Sequence, residues 1–523
     1  MSIYTRKFTF LTPFTLLGVV AFSKTAQSQS LNVLSTYQSG GFDEGAAEIA
    51  AYDADSQQLF ITNAEKNTID RLDISDPAAP VAKEAIDLSP YGGVNSVATS
   101  STGLVAVAVE APTKQELGVV VFFDVDGVFL TQVPVGALPD MVTFTPDGTK
   151  ALVANEGEPN DDYTVDPEGS ISIIDVTGNA RQLSADDVQT VTFAAFSKER
   201  LLANGVRIFG PGATAAQDLE PEYIAVAADS QTAFVTLQEN NAVAVVDIAN
   251  ATVTSIVSLG QKNHSIRENA IDASNKDGEI NITTHPVSGL YLPDAIATLT
   301  AQGNTYFLTA NEGDSRDYDG FSEEERVADL TLDSTAFPNA AELQAESALG
   351  QLKITTTLGD TDGDGDYEAL YSYGARSFSV WSADGSLVWD SGSQFERTLA
   401  EALPENFNST NDENDSLDNR SDDKGPEPEG ITVGRIGART YAFIGLERVG
   451  GIMVYDVTRP TSPRYVTYTN NRDFAGDAEA GTAGDLAPEG LLFIPAAQSP
   501  NDEPLLVVTN EVSGTTTIYG LDF

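Results

Sequence analysis

One unit recurs seven times along this chain, and that repetition constrains its fold more than any other feature. Six of the seven copies open with an acidic residue, often after proline, and each continues as a short β-rich run. A turn with Asp, Gly or Ser leads to a second apolar strand ending in Asn-Glu or similar, and a third strand closes with Asp between two aliphatics. The clearest copies run from Pro139-Asp140 to Ile174-Asp175-Val176, from Pro221-Glu222 to Val246-Asp247-Ile248 and from Pro428-Glu429 to Tyr455-Asp456-Val457. Weaker copies open at Glu48 and Asn95 and close at Leu72-Asp73-Ile74 and Phe123-Asp124-Val125. Pro293-Asp294 opens a copy that reaches Ser379-Val380-Trp381 after a long excursion, and Pro488-Glu489 opens the last, ending near Ile518-Tyr519. Runs such as Ala242-Val243-Ala244-Val245-Val246 are rich in β-branched residues and too short for helices. Seven such copies predict an all-β chain folded as a seven-bladed β-propeller. A single propeller domain over 29–523 then replaces the three or four domains that 523 residues suggest by length. The last copy lacks room for a fourth strand, whereas residues 31–35 form a spare one. Pairing the two would close the ring and leave no open edge.

The repeat also places its acids. The seven opening positions are Glu48, Asn95, Asp140, Glu222, Asp294, Glu429 and Glu489. The second strands end at Ala64, Glu110, Glu156, Gln238, Glu312, Glu447 and Glu511. In an antiparallel blade both positions lie at the same end, so two acidic rings should surround one mouth of the central channel. Crowded carboxylates repel unless protonated or neutralised, and oxygen ligands in such number favour Ca²⁺ or Mg²⁺ over zinc or copper. The expected cofactor is Ca²⁺, alone or with a second divalent or trivalent metal. The alternative is that each acid merely caps backbone amides at a strand entry. Three insertions, near 178–220, 313–375 and 390–427, are too long for hairpin loops, and such loops on one face of a rigid scaffold are where function concentrates.

Asp360, Asp362, Asp364 and Asp366 lie in a stretch that matches the first half of an EF-hand loop, with Gly365 at its sixth position and Glu368 at its ninth. Tyr371 stands where the bidentate Glu belongs, so other ligands must complete a Ca²⁺ shell; a solvated acidic turn is the alternative. Asp272, in a similar but weaker stretch, is a second candidate. Cations are scarce in this chain, 28 Lys and Arg against 78 Asp and Glu. Arg316, Arg420 and Lys424 therefore stand out beside the ring acids, as do Arg376 and Arg448. Metal ions plus Arg316, Arg420 and Lys424 would suit a phosphoester substrate, the metal activating water and the cations clamping phosphoryl oxygens. Equally, each cation can pair with a neighbouring acid.

A net charge of −50 excludes nucleic acid and anionic lipid surfaces as partners; it can also reflect a saline habitat. The chain has two histidines, no cysteine and no Gly-x-Ser-x-Gly elbow, which leaves no thiolate chemistry and little room for a serine triad. Arg6 and Lys7, an apolar run from Phe8 to Phe22, and the small residues Ala26 and Ser28 have the layout of a secretory signal peptide over 1–28. No later segment is apolar enough to span a membrane, and no C-terminal sorting tail is visible, so a secreted or periplasmic protein is expected.

Several long motifs carry a family resemblance. They include Ala154-Asn155-Glu156-Gly157-Glu158-Pro159, Asp218-Leu219-Glu220-Pro221-Glu222-Tyr223-Ile224, Arg420-Ser421-Asp422-Asp423-Lys424-Gly425-Pro426-Glu427-Pro428-Glu429-Gly430 and Ile444-Gly445-Leu446-Glu447-Arg448-Val449-Gly450-Gly451. At these residues the chain resembles the extracellular choice-of-anchor I family. The resemblance implies an exported propeller of the YVTN or WD40-like kind, and it extends over almost all of the chain after residue 28. Family members carry the names alkaline phosphatase and, in animals, mesenchyme-specific cell surface glycoprotein. Two functions follow as expectations: a secreted Ca²⁺-dependent phosphoesterase, or a non-catalytic Ca²⁺-binding adhesion or interaction propeller of the cell envelope.

Overall fold

The second strand of each repeat is buried over most of its length. Gln58–Asn63 and Leu505–Asn510 are buried at every position, and Leu104–Glu110 at every position but its terminal Glu. A strand covered by neighbouring sheets on both faces reads as a continuous apolar run, which is why these segments lack clean alternation. In the computed structural model, which describes residues 29–523, each repeat is an antiparallel sheet of this kind. The signal peptide expected over 1–28 lies outside the described residues. The innermost strands are Ala50–Asp53, Gly93–Thr99, Pro139–Phe144, Pro221–Val226, Ile296–Ala301, Pro428–Ile436 and Pro488–Ile494. Each packs on the next, and the last packs on the first. The molecule is a β-propeller.

The ring closes as the repeat requires. Ser30–Gln38 pairs antiparallel with Thr515–Asp522, Leu31 facing Leu521, and supplies the outer strand of the final sheet. Where a third strand ends in Asp73, Asp175 or Asp456, the acid has a local role: its carboxylate accepts the backbone N–H two residues on. Asp73 bonds Ser75 at 3.0 Å, Asp175 bonds Thr177 at 3.0 Å and Asp456 bonds Thr458 at 3.0 Å. These acids shape turns on the face opposite the two rings.

All three insertions leave from the face that carries the rings, because they follow a second or a fourth strand. Within 178–220, Val188–Thr192 is the outermost strand of its sheet, and the connection proper begins after it. Residues 313–375 join a second strand to a third and build a side sheet with the connection that carries Gln261–Asn263 and Ser288–Leu290. That unit has its own core, including Val327, Phe337, Leu349, Leu352, Ile354 and Leu370. In 390–427, the helix Gln394–Ala402 buries Phe395 and Leu399 against the propeller.

The 313–375 insertion leaves the blade through a neck of two facing glycines. Gly313 has φ +116°, and a Cβ there would stand 2.2 Å from the Gly374 nitrogen. Gly313→Ala is therefore expected to cost about 1–3 kcal/mol, from left-handed strain plus the clash. Urea denaturation checks this, and an unchanged midpoint would show that the neck opens freely.

Candidate functional site

The two rings are held together by a recurring backbone device. Leu138, Glu427 and Ala487, each just before an opening proline, adopt φ of +46°, +46° and +58°. Non-glycine residues avoid this region, and the residue before proline is normally extended. The strained turn aims each carbonyl at the N–H of a second-ring acid: Leu138 O accepts from Glu156, Glu427 O from Glu447 and Ala487 O from Glu511, at 2.8, 2.9 and 2.8 Å. The Asn of the Asn-Glu pairs stays in the blade. Asn155 donates to Ser170 and Ser172 hydroxyls at 3.2 and 3.0 Å, and Asn311 to Ser377 and Ser379 at 3.2 and 2.8 Å. Asn is thus a strut between strands, and the Glu that follows is delivered to the face.

At the channel mouth lies a cavity of about 590 Å³, lined by Glu48, Asp140, Asp294 and Glu489 of the first ring and by Glu110 and Glu511 of the second. Lys114 also lines it. Burial, then the charges of Glu511 and Asp140, push Glu48 up to about 8. Burial and Glu158 push Asp140 up to about 6. Asp294, Glu429 and Glu489 are held well above the ordinary carboxylate range, first by burial and then by one another and by neighbouring acids. The neutral ring members face neighbours: Asn95 donates to the Pro139 carbonyl at 3.2 Å, and Gln238 to Glu312 at 2.8 Å.

Glu312 and Glu447 are brought together elsewhere. Their carboxylates lie within 4.8 Å of each other and of Glu427, an acid outside both rings. This triad already holds cations. The Lys424 ammonium bonds Glu312 and lies 3.3 Å from Glu427, Arg420 reaches Glu427 at 2.7 Å, and the Arg448 Nε reaches it at 2.9 Å. Burial alone would raise Glu427, but Lys424, Arg420 and Arg448 hold it down to about 2. Burial pushes Glu447 up to about 7 against the pull of Arg448. The signal for Glu427 was present in Pro426-Glu427-Pro428-Glu429, where two acids flank one proline, but the repeat marks only the second.

Arg316 is 1% exposed and bonds Asp218 at 2.5 Å and Glu220 at 2.8 Å, with its guanidinium over the Phe209 ring at 4.6 Å. Arg376 spans from Glu396, at 2.7 Å, to the carbonyls of Ser421 and Asp423, each at 2.8 Å. Of the cations singled out as phosphoryl clamps, Lys424 ties the 390–427 insertion to the strand end at Glu312, Arg316 ties the 313–375 insertion to Asp218 and Glu220 of the 178–220 insertion, and Arg420 pairs within its own insertion with Asp423 and Glu427.

The remaining first-ring acid, Glu222, is 9% exposed beside Glu239 and Glu156. In the EF-hand-like loop, Asp360, Asp362 and Glu368 come within 4.8 Å of one another, as do Asp364, Asp366 and Glu368. Asp360 also accepts the Gly365 N–H at 3.1 Å, so Gly365 makes the sharp turn. Asp272 is 1% exposed, accepts the Asn281 N–H at 2.5 Å and is pushed up to about 7, mainly by burial.

With this face described, comparison with known proteins identifies the family. The model of the choice-of-anchor I domain matches residues 48–460. The chain belongs to the choice-of-anchor I family. It is 34% identical over 194 residues to Gigasin-3a of Magallana gigas, which covers 34% of this chain and 68% of that protein. It is 29% identical over 281 residues to a mesenchyme-specific cell surface glycoprotein of Strongylocentrotus purpuratus, covering 47% of this chain and 35% of that protein. The chain thus spans about a third of the sea-urchin glycoprotein's length. Among solved structures it is similar to Kuenenia stuttgartiensis hydrazine synthase, with a TM-score of 0.48, 12% identity and coverage of 92% of this chain and 96% of that one. The fold rests on the sheet order above and takes nothing from that likeness. Among the described residues no helix is long and apolar enough to cross a membrane.

Proposed function

We propose that this choice-of-anchor I propeller is an exported, non-catalytic binding module. Its acidic face loads Ca²⁺-type cations and presents them to a partner at the cell surface. One observation carries the reading: Arg316, Arg420 and Lys424 each pair with buried carboxylates, whereas the largest charge effects on Asp294, Glu429 and Glu489 come from other acids. In the phosphoesterase, Arg316, Arg420 or Lys424 would have to face the metals to stabilise the phosphoryl group. A cation-loaded binding face needs only the acids. The cell-surface name of the sea-urchin relative supports the same setting. Under this proposal Glu48, Asp140, Asp294 and Glu489 hold Ca²⁺ at the channel mouth, and the loop from Asp360 to Glu368 holds another. Ca²⁺ supplies charge neutralisation and a bridging coordination position when bound.

The test combines calorimetric Ca²⁺ titration of residues 29–523 with an aryl phosphate assay, with Ca²⁺ or chelator. Ca²⁺ binding without turnover is expected, and Glu489→Gln should weaken channel-mouth binding at least about tenfold. Turnover that appears with Ca²⁺ and vanishes with chelator would overturn the proposal in favour of the phosphoesterase.

A further inference from the structure

A second cavity, of about 750 Å³, lies beside the outermost strand of the blade opened by Pro293, Leu387–Asp390. There the strand meets the start of the helix Gln394–Ala402 and the connection that carries Gln261–Asn263. No residue lines both this cavity and the one at the channel mouth. Its charge is reversed. Lys262, Arg267 and Arg397 line it against two acids, Glu268 and Asp390, in a chain with 28 Lys and Arg against 78 Asp and Glu.

Lys262 and Asp390 answer each other. The buried ammonium lies 2.9 Å from one carboxylate oxygen and donates to the Ala375 and Gly392 carbonyls at 2.8 and 2.9 Å. The Ser377 and Ser379 hydroxyls donate to the other oxygen at 2.7 and 2.8 Å. The arginines differ: among the described residues, neither pairs with a carboxylate, and both are exposed. Arg397 Nε donates to the Ser393 hydroxyl at 2.8 Å, and a terminal nitrogen of the same side chain lies 3.5 Å from the Arg267 carbonyl. Ser393 makes no side-chain cap on the helix it precedes, so the positive end of that helix also borders the cavity. Tyr291 gives an independent sign of a ligand. It is 3% exposed and held edge-on to Trp381 at 5.0 Å, yet its hydroxyl has no hydrogen-bond partner among the described residues. A buried phenol ordinarily finds a partner, and the cavity that Tyr291 lines is the place left for one.

We propose that this cavity binds an acidic sugar unit carrying one carboxylate or sulfate group, with Arg267 and Arg397 on the anionic group and the Tyr291 hydroxyl on a sugar hydroxyl. Guanidinium groups pair with such planar or tetrahedral oxyanions through parallel hydrogen bonds. The volume is that of a small-molecule site. Leu387, 47% exposed, adds an apolar ledge, and Asn269 and Gln394 add polar atoms for further hydroxyls. Three cations against two acids favour a single negative charge, and the net charge of −50 on the whole chain repels a polyanion. The site uses none of the channel-mouth acids, so it stands whether or not that face loads Ca²⁺.

The test uses residues 29–523 stripped of metal on a chelating resin, so that no bound Ca²⁺ recruits the anion. Glucuronate, a sulfated N-acetylglucosamine and glucose are titrated in turn, with binding followed by ligand-observed NMR. At least one acidic sugar is expected to bind with a Kd of about 1 mM or tighter, and glucose at least about tenfold more weakly. Whichever acidic sugar binds more tightly tells a carboxylate site from a sulfate site. Arg267→Gln and Arg397→Gln should each weaken binding at least about fivefold. Tyr291→Phe should weaken it about threefold with an unchanged melting temperature, because the hydroxyl it removes has no partner in the protein. Failure of both acidic sugars to bind would overturn the proposal, as would equal binding of glucose or affinity indifferent to both arginine variants. Should Arg397→Gln or Tyr291→Phe fail to fold by circular dichroism, Arg267→Gln, at an exposed side chain without an ion pair, still decides.

Discussion

In chelator, the melting temperature is expected to fall by about 5–10 °C as pH rises from about 5 to about 8, and about 1 mM Ca²⁺ should abolish that slope. The groups responsible are carboxyls whose folded pKa is raised: Asp140 to about 6, Glu239 and Glu447 to about 7 and Glu48 to about 8. The unfolded chain releases these protons near the ordinary values of 3.8 and 4.5. Between those values and the folded ones, the native state binds more protons, so raising pH favours unfolding. Their contribution is complete below the unfolded values and is lost as pH passes through about 6 to about 8. Asp175 and Glu427, both lowered to about 2, work with the opposite sign only in acid, while His264 and His285, lowered to about 3 and about 4 chiefly by burial, oppose the fall up to about pH 6.5 and leave it steepest above that. Bound Ca²⁺ neutralises the acids without protons, so the folded state no longer loses stability as they ionise. Scanning calorimetry across this range, with Ca²⁺ and with chelator, measures both slopes. A flat profile in chelator would mean that the crowded acids are already neutralised within the protein.

The blades and the two rings were legible because a propeller writes the same local chemistry once per repeat. Apolar second strands, closing Asp turns and opening prolines all recur at fixed offsets, and the spare strand at residues 31–35 follows from counting strands. The insertions were not legible in the same way, since each occurs once. No periodicity announces that 313–375 builds its own core around Ile354 and Leu370. The roles of the cations were harder still. Arg316 and Lys424 lie next to ring acids in sequence, which suggested a clamp on a ligand. Lys424 has Glu427 three residues on, but Asp218 and Glu220 for Arg316 and Glu312 for Lys424 lie 96 to 112 residues away.

The acids of one face therefore divide into two kinds, and replacing one of each should shift stability in opposite directions. Glu427 is 0% exposed and serves Lys424, Arg420 and Arg448 together. Glu427→Gln keeps the side-chain shape and the strained turn before Pro428 but removes the charge those cations face. Removing one partner of a buried ion pair typically costs about 3–5 kcal/mol, and a loss of that size is expected here. Glu489 is crowded by Glu511, Asp294, Glu447 and Glu48, after burial has already raised it well above the ordinary range. Glu489→Gln removes a repelling charge and should leave the metal-free protein equally stable or more stable at about pH 8, while losing stabilisation by Ca²⁺. Urea denaturation of both variants in chelator reads the contrast directly. Destabilisation of similar size in both would show that Glu489, like Glu427, is held by internal partners, and would remove the basis for placing a cation at the channel mouth.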